Sequence, residues 1–188
     1  MTANRLDDFI DRLRHQIDAA QGDEARLLAS VEPLMQALVR HDDWLPERFA
    51  QPHPQYYQQY CLYACPRGDF SIVSFVWGPG QKTPVHDHTV WGVIGMLRGA
   101  ELSEQFGPQA GGGYAVTDKE TLQPGMTACV SPTIGDIHRV SNVFDDRVSI
   151  SIHVYGADIG KVERHVYDPA RGERKRFVSG YASVQEAG

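Results

Sequence analysis

The chain has 188 residues, enough for one domain with a full hydrophobic core but not for two ordinary ones. Hydrophobic residues make up 41% of it and charged residues 22%, a balance that argues against a disordered protein. The net charge of -6 argues against nucleic acid as a partner, because that partner selects a concentrated basic surface. The basic cluster within residues 171–176 is interrupted by Glu173 and predicts a solvated turn.

The sequence also indicates where the protein works. No apolar run approaches the roughly 18 residues that a membrane span requires, so no membrane partner is expected. Polar residues at positions 4, 5, 7 and 8 are incompatible with a signal peptide, which predicts a cytoplasmic protein. The three cysteines cannot form a paired disulfide framework, and Cys61 and Cys65 lack a second Cys/His pair at zinc spacing. We expect these thiols to be reduced and buried.

Residues 1–45 predict two helices. Apolar residues recur there with helical spacing and form one stripe, made of Leu6, Phe9, Ile10, Leu13 and Ile17. Asn4 is the expected N-cap of this helix and Gly22 its expected end. A second stripe covers residues 27–39, where Pro33 predicts a break and Ser30 a cap for the later part. Both helices are expected to pack on the outside of a larger unit.

From about residue 55 the pattern changes to short segments rich in Val, Ile, Phe, Tyr and Thr, separated by Gly and Pro. The predicted strands cover residues 71–77, 92–98, 114–117, 127–130 and 148–155. Many short strands at this spacing are typical of an all-β sandwich or barrel.

Three of the eight histidines stand out by their spacing. His86 and His88 are two residues apart, and in a strand residues i and i+2 project from the same face, so both imidazoles can reach one ion. His138 lies much later, in a Gly-Asp-Ile-His sequence. The His-x-His pair alone is a weak indication of a metal site, and the glycines around it strengthen the case.

These glycines and histidines resemble the two motifs of the cupin superfamily. The first motif is a glycine, five residues, His-x-His, three or four residues, Glu, six residues and a glycine. This chain has Gly80, the histidine pair, Gly92 and Gly99 at the same spacing. The second motif appears as Gly125, Pro132, Gly135, His138 and Asn142, with one extra residue in each of its first two gaps. The resemblance implies an all-β jelly-roll barrel with an interior metal held by His86, His88 and His138.

The glutamate of the first cupin motif is missing, since Gly92 occupies its slot. Glu101 and Glu104 lie beyond the closing Gly99 and are expected to be exposed acids rather than replacements. Three neutral imidazoles leave a dication its full charge and about three open positions, which a thiolate and dioxygen can occupy. Imidazole suits iron, zinc, nickel and copper alike, but zinc cannot activate dioxygen by changing its oxidation state.

Ser151, His153 and Tyr155 alternate along the last predicted strand, so their side chains share one face of it. A half-exposed strand would show the same alternation. A Ser-x-His-x-Tyr series is more typical of a relay, in which the hydroxyl fixes the imidazole tautomer and the imidazole orients the phenol.

This strand, which follows the third histidine, resembles the cysteine dioxygenase family of thiol dioxygenases. The resemblance implies one iron(II) ion, dioxygen and a small thiol acid, with the Tyr155 hydroxyl directed at the iron and its bound oxygen or substrate. Animal members tie this tyrosine to a cysteine through a thioether, and that cysteine falls in the slot of Gly92, so no cross-link is expected here. The glycine-substituted form resembles the bacterial 3-mercaptopropionate dioxygenase branch.

The carboxylate of such a substrate needs a cation. In the bacterial branch an arginine shortly after the Ser-His-Tyr strand serves, and Arg164 matches it; the alternative is a surface arginine paired with Glu163. Animal members place their arginine on an earlier strand, where this chain has Gln59. Arg67 lies near that strand, and if it points inward a second carboxylate could bind, as in mercaptosuccinate.

Together these features predict a thiol dioxygenase that converts a small thiol acid to its sulfinic acid. The expected substrate is 3-mercaptopropionate, with mercaptosuccinate and cysteine as the other options. The alternatives are another metal-dependent cupin enzyme, such as an isomerase or one that acts on sugars or diketones, and then a non-catalytic cupin ligand sensor. The expected organisation is a single cupin domain over residues 1–188, with the helices in 1–45 and the jelly roll in 55–180. The oligomeric state is not predicted.

Overall fold

The computed structural model describes residues 5–184. Two helices open the described chain: α1 spans Arg5–Ala20 and α2 spans Glu24–Val39. Gly22 follows α1 with a φ of +86°, the left-handed conformation in which many helices end. The predicted Asn4 cap of α1 lies outside the described residues.

The second helix continues through Pro33, so the predicted break there is wrong. Pro33 removes one amide donor from the helix interior. Packing of the apolar face outweighs that loss, because this face is buried on both sides of the proline; its buried residues are Leu27, Leu28, Val31, Leu34, Met35, Leu38 and Val39. Ser30 does not cap a new helix, since its hydroxyl donates to the Leu27 carbonyl within α2.

Eleven strands follow within the described chain, and all their pairings are antiparallel. They are β1 (Gln58–Ala64), β2 (Ser71–Trp77), β3 (Val85–His86), β4 (Gly92–Arg98), β5 (Glu101–Pro108), β6 (Tyr114–Leu122), β7 (Thr127–Val130), β8 (His138–Asn142), β9 (Ser149–Tyr155), β10 (Arg164–Tyr167) and β11 (Arg174–Phe177). One sheet has the order β1-β2-β9-β4-β7 and the other the order β11-β10-β3-β8-β5-β6. This interleaving of early and late strands in two sheets is a jelly roll, so the predicted fold class is confirmed.

The core has two layers. Between the first sheet and the helices lie apolar residues of α1, α2, β2, β4 and β9, and α2 packs directly on β4 and β7. Between the two sheets lie smaller apolar clusters, one around Phe75 and Trp77 and another around Ile94 and Met96. The helices therefore pack on the outside of the barrel, as predicted, and leave its interior to the other side chains of the same strands. The single-domain boundaries stay a prediction.

Within residues 5–184, neither helix is long and apolar enough to cross a membrane.

Candidate metal centre and relay

The three histidines of the predicted metal site meet at one buried place. His86 ends β3, His88 follows two residues later, and His138 begins β8. Strands β3 and β8 are neighbours in the second sheet, and His86 lies directly opposite His138 in their pairing. Strand pairing thus joins two motifs that are far apart in the sequence.

The rings are arranged to share one ion. One nitrogen of each histidine lies within 4.8 Å of its counterparts in the other two. Each Nδ1 has a partner outside the cluster, which leaves the three Nε2 atoms for a metal and fixes tautomer and ring orientation. These Nδ1 contacts are His86 to the Pro84 carbonyl at 3.1 Å, His88 to the Asp136 carboxylate at 2.8 Å and His138 to the Ser103 hydroxyl at 3.3 Å.

Burial keeps the three imidazoles neutral. It lowers the pKa of His86 to about 4, and it lowers the pKa values of His88 and His138 well below the ordinary value. A neutral imidazole can give a lone pair to a metal, whereas a protonated one cannot. Both the geometry and the protonation of this cluster therefore fit a divalent metal.

No carboxylate joins these three histidines among the described residues. The sequence predicts that Glu101 and Glu104 are exposed, and this is wrong, because their exposed fractions are 0% and 5%. Glu104 is covered by the cations that it binds, Arg139 at 2.7 Å and Lys119 at 2.8 Å. Glu101 opens β5, and neither of its carboxyl oxygens has a hydrogen-bond partner in the part of the chain that is described.

Ser151, His153 and Tyr155 form a hydrogen-bonded series along β9. The distance from Ser151 Oγ to His153 Nε2 is 2.8 Å, and from His153 Nδ1 to the Tyr155 hydroxyl it is also 2.8 Å. Every residue of β9 is buried, which excludes the half-exposed strand. The Trp77 indole donates to Ser151 Oγ at 3.1 Å, a contact that no sequence motif indicated.

The tyrosine at the end of this series reaches the histidine cluster. Its ring stacks on His88, with centroids 5.2 Å apart and planes inclined by 24°. Burial raises the pKa of Tyr155 far above its usual value, so the hydroxyl keeps its proton. Burial also lowers the pKa of His153 to about 3, so this imidazole is neutral, with one donor and one acceptor nitrogen.

Gly92 lies directly against the tyrosine. It pairs with Tyr155 across β4 and β9, and a Cβ placed there would be 3.0 Å from the Tyr155 Cδ1 and 3.1 Å from the Val130 Cγ2. The slot that the cupin pattern gives to glutamate is therefore beside this tyrosine. Because the slot holds no side chain, it offers neither a carboxylate to the histidines nor a sulfur to the ring.

Arg164 lies beside the histidine cluster. It begins β10, two residues before Val166, which pairs with His86. The side chain is buried, and its charge contributes to the lowered pKa values of His86 and His88, although burial is the larger cause. One terminal nitrogen donates to the Ser179 hydroxyl at 2.7 Å, while Nε has no partner among residues 5–184. Glu163 does not hold this guanidinium.

Glu163 contacts Arg176 instead, at 3.5 Å, so the alternative of a surface pair with Arg164 is excluded. Gln59 of β1 is buried near Arg164, because its amide donates to the same Ser179 hydroxyl at 3.1 Å.

Arg67 does not reach this site. Its side chain is 60% exposed and binds Asp69 at 2.6 Å and Asp18 at 3.2 Å. The two carboxylates hold the guanidinium at the surface, so the inward direction that a second substrate carboxylate requires is not present.

The second motif keeps its functional positions although it has extra residues. Ser131 and Gly135 exchange two backbone hydrogen bonds of 3.1 and 2.9 Å, and the turn between them absorbs the longer spacing. Asp136, which was not among the predicted site residues, then accepts from the amides of His88 and Thr89 as well as from the His88 ring. Its position inside the motif, two residues before His138, was the available signal.

Fold and site together define a cupin with an all-histidine candidate ligand set. A model of the family described as cysteine dioxygenase type I matches residues 9–168. This match covers well over half of the chain, and the chain belongs to that family. The family inferred from the Ser-His-Tyr resemblance is thereby confirmed, while the bacterial branch stays a prediction.

Individual relatives agree with this assignment. The chain is 28% identical to cysteine dioxygenase type 1 of Danio rerio over 160 residues, which cover 82% of this chain and 76% of that protein. It is 26% identical to the Rattus norvegicus protein over 119 residues, covering 62% of this chain and only 58% of the rat protein's length.

Solved structures with similar folds include a protein of Thermus thermophilus, with a TM-score of 0.47 and 20% identity over 59% of this chain and 92% of that one. A cupin superfamily protein of Desulfitobacterium hafniense has a TM-score of 0.46 and 14% identity, covering 63% and 94%.

Proposed function

We propose that the protein is an iron(II) thiol dioxygenase, which adds both atoms of dioxygen to the sulfur of a small thiol carboxylic acid. The observation that carries the proposal is a buried cluster of three histidines without a carboxylate, next to a Ser-His-Tyr relay. Membership of the cysteine dioxygenase family supports it. The reaction balances without a further reductant, because one thiol and one dioxygen give one sulfinic acid. The cytoplasm is the proposed location.

The metal would be held by the Nε2 atoms of His86, His88 and His138. A bound iron(II) ion would supply coordination positions for a thiolate and for dioxygen, together with the electron exchange that oxygen activation requires. Three neutral ligands add no negative charge, so such a site attracts an anionic thiolate more strongly than one with a glutamate ligand. The burial of the cluster limits competition from bulk water.

The substrate carboxylate would bind to Arg164. The unpartnered Nε and a terminal nitrogen of this guanidinium form the two-pronged donor that suits a carboxylate. Such a bond would fix the position of the thiol relative to the three histidines. Arg164 is the one buried arginine among residues 5–184, which supports a monocarboxylate such as 3-mercaptopropionate. The surface position of Arg67 argues against a second carboxylate.

Tyr155 would act on the reacting atoms through its hydroxyl, which keeps its proton and is oriented by His153. Its ring packs against His88, so the hydroxyl can form a hydrogen bond to a substrate sulfur or oxygen at the cluster. Ser151 Oγ accepts a hydrogen bond from the Trp77 indole and contacts Nε2 of His153, the ring nitrogen farther from Tyr155. The relay thereby presents one phenol in a fixed direction and excludes water from that side.

Oxygen uptake tests the proposed reaction. The full chain, loaded with iron(II), is given 3-mercaptopropionate, cysteine or mercaptosuccinate under isotopically labelled dioxygen. We expect uptake that is fastest with 3-mercaptopropionate, and a sulfinic acid that carries two labelled oxygen atoms. The absence of uptake with all three thiols at full iron occupancy would contradict the proposal. Elemental analysis of protein purified without added metal separates it from a zinc, manganese or nickel cupin enzyme.

The Tyr155→Phe variant is expected to turn over about 10–100-fold more slowly, because it loses a hydrogen bond to the reacting atoms that is worth about 1.5–3 kcal/mol. Its iron content should not change, since the phenyl ring keeps the packing on His88. Tyr60→Phe is the matched control, because the Tyr60 hydroxyl is buried but donates to the Gln51 carbonyl away from the cluster. Loss of iron from Tyr155→Phe would make the tyrosine structural.

A further inference from the structure

Glu101 is a buried carboxyl that the proposed chemistry does not use. Its exposed fraction is 0%, and neither oxygen has a hydrogen-bond partner among residues 5–184. Burial raises its pKa to about 7. Since an unpaired carboxyl inside a protein is costly, its presence at this position needs a physical explanation.

The carboxyl lies at one end of the relay. Alternation along β5 puts Glu101 and Ser103 on the same face of the strand, and Ser103 contacts the His138 ring there. The Ser151 hydroxyl lowers the pKa of Glu101 and so offsets part of the rise that burial causes. The charge of Glu101 in turn contributes to the raised pKa of Tyr155, for which burial is the larger cause. Ala100, the residue before Glu101, forms two hydrogen bonds with the Ser149 hydroxyl, at 3.1 and 3.0 Å, so the start of β5 lies against β9 two residues from Ser151. The carboxyl is therefore near Ser151, although no hydrogen bond joins them.

Ser151 has bonding capacity left for this carboxyl. Its Oγ has one proton and two lone pairs. The Trp77 indole, which can only donate, takes one lone pair. His153 Nε2 takes either the second lone pair or the proton, depending on its tautomer. Ser151 Oγ therefore keeps either its proton or one lone pair, and this can bond to a fourth group.

We propose that Glu101 is the fourth member of the relay and that its proton sets the direction of the hydrogen bonds along it. An ionised carboxylate only accepts, so Ser151 donates to Glu101, the Nε2–H of His153 donates to Ser151, and the Tyr155 hydroxyl donates to Nδ1. A protonated carboxyl donates to Ser151, which then donates to Nε2, and Nδ1–H donates to Tyr155. In that second state the tyrosine proton is free to point at the histidine cluster.

This makes Glu101 a positioning residue that acts on the reaction through Tyr155, and the part that concerns turnover rests on the proposed function.

Glu101 also lines a cavity of about 400 Å³ between the two sheets, where it can exchange its proton. The other titratable groups on that cavity are Glu32 of α2, Asp118 and Glu120 of β6 and Cys129 of β7. No lysine, arginine or histidine is among its described lining residues. Arg139 of β8 and Lys119 of β6 bind Glu104.

The test follows the His153 tautomer by nitrogen NMR in the full chain loaded with Zn²⁺, which is diamagnetic and accepts imidazole ligands. In the wild-type protein we expect the proton on Nδ1 below about pH 6 and on Nε2 above about pH 8, since the switch follows the ionisation of Glu101. In Glu101→Gln the tautomer should not change with pH, because an amide does not ionise. Glu104→Gln is the matched control on the same strand and should keep the wild-type switch.

Two results would overturn the inference: a single His153 tautomer in the wild-type protein across this range, or a switch that persists in Glu101→Gln. The second readout is kcat for 3-mercaptopropionate with iron-loaded protein. It should change about tenfold with pH in the wild-type protein and stay flat in Glu101→Gln; a flat wild-type profile would remove the link to turnover. If no thiol is consumed the proposed function fails, whereas the NMR result still decides the role of Glu101.

Discussion

The His86→Ala variant is expected to lose its metal and, with it, essentially all thiol oxidation. His86 supplies one of three candidate ligand atoms, and no carboxylate among the described residues lies in position to take its place. Since loss of a group that only orients a ligand costs about 10–100-fold in metal affinity, loss of a ligand should cost at least about 100-fold. Iron per chain, measured after gel filtration, should fall from near one to under about a tenth, and activity at least about 1,000-fold.

Two further variants provide a control and an intermediate case for the loss of iron. His15→Ala removes an exposed histidine of α1 and should keep wild-type iron content and activity. Asp136→Asn keeps the three imidazoles but weakens the hydrogen bond that orients His88, so it should lie between the two, at about 10–100-fold in affinity. Full iron content in folded His86→Ala protein would contradict the proposed metal site.

The strands that the sequence predicted are those in which apolar residues dominate. The predicted ranges 71–77, 92–98 and 127–130 coincide with β2, β4 and β7, whereas β5 and β8 are two of the six described strands that no predicted range covers. Those two strands direct polar side chains such as Glu101, Ser103 and His138 at the barrel interior, so the usual hydrophobic alternation is absent. Strands whose interior side chains serve the site are therefore difficult to predict from hydrophobic alternation. The same missed strand explains why Glu101 was expected at the surface.

Within the site, the spacing of residues in the sequence was sufficient to predict some functional residues but not others. The Ser-His-Tyr series follows from the two-residue period of a strand. The His-x-His spacing also pointed to the right pair, although β3 ends at His86 and His88 lies just beyond it. Ser103 and Trp77 reach the site through the packing of distant strands, for which a single sequence holds no local signal. The direction of Arg67 depends on Asp18 in α1, again far away in the chain. Tertiary pairing, rather than motif spacing, decides these cases.

The Arg164→Met variant is expected to lower kcat/KM for 3-mercaptopropionate about 30–1,000-fold while leaving iron content unchanged. Methionine keeps much of the buried volume but removes the charge that would pair with the substrate carboxylate, and truncation of one partner of a buried charge pair costs about 2–4 kcal/mol. Arg164→Lys should recover only part of the loss, because an ammonium cannot form the two parallel hydrogen bonds of a guanidinium. Initial rates over a range of thiol concentrations, with metal analysis of each preparation, provide the measurement.

The specificity of this effect can be tested with a control variant of the protein and with a thiol that has no carboxylate. Arg67→Met is the matched control, because it removes a guanidinium that is exposed and held by Asp18 and Asp69, and its kcat/KM should stay within about twofold of wild type. On the substrate side, 2-mercaptoethanol has the thiol but no carboxylate, so wild-type protein and Arg164→Met should oxidise it at similarly low rates. An equal loss with both thiols would mean that Arg164 supports the barrel rather than the substrate. A loss confined to the thiol acid ties the buried guanidinium to the carboxylate, because only that substrate carries a charge for it to bind.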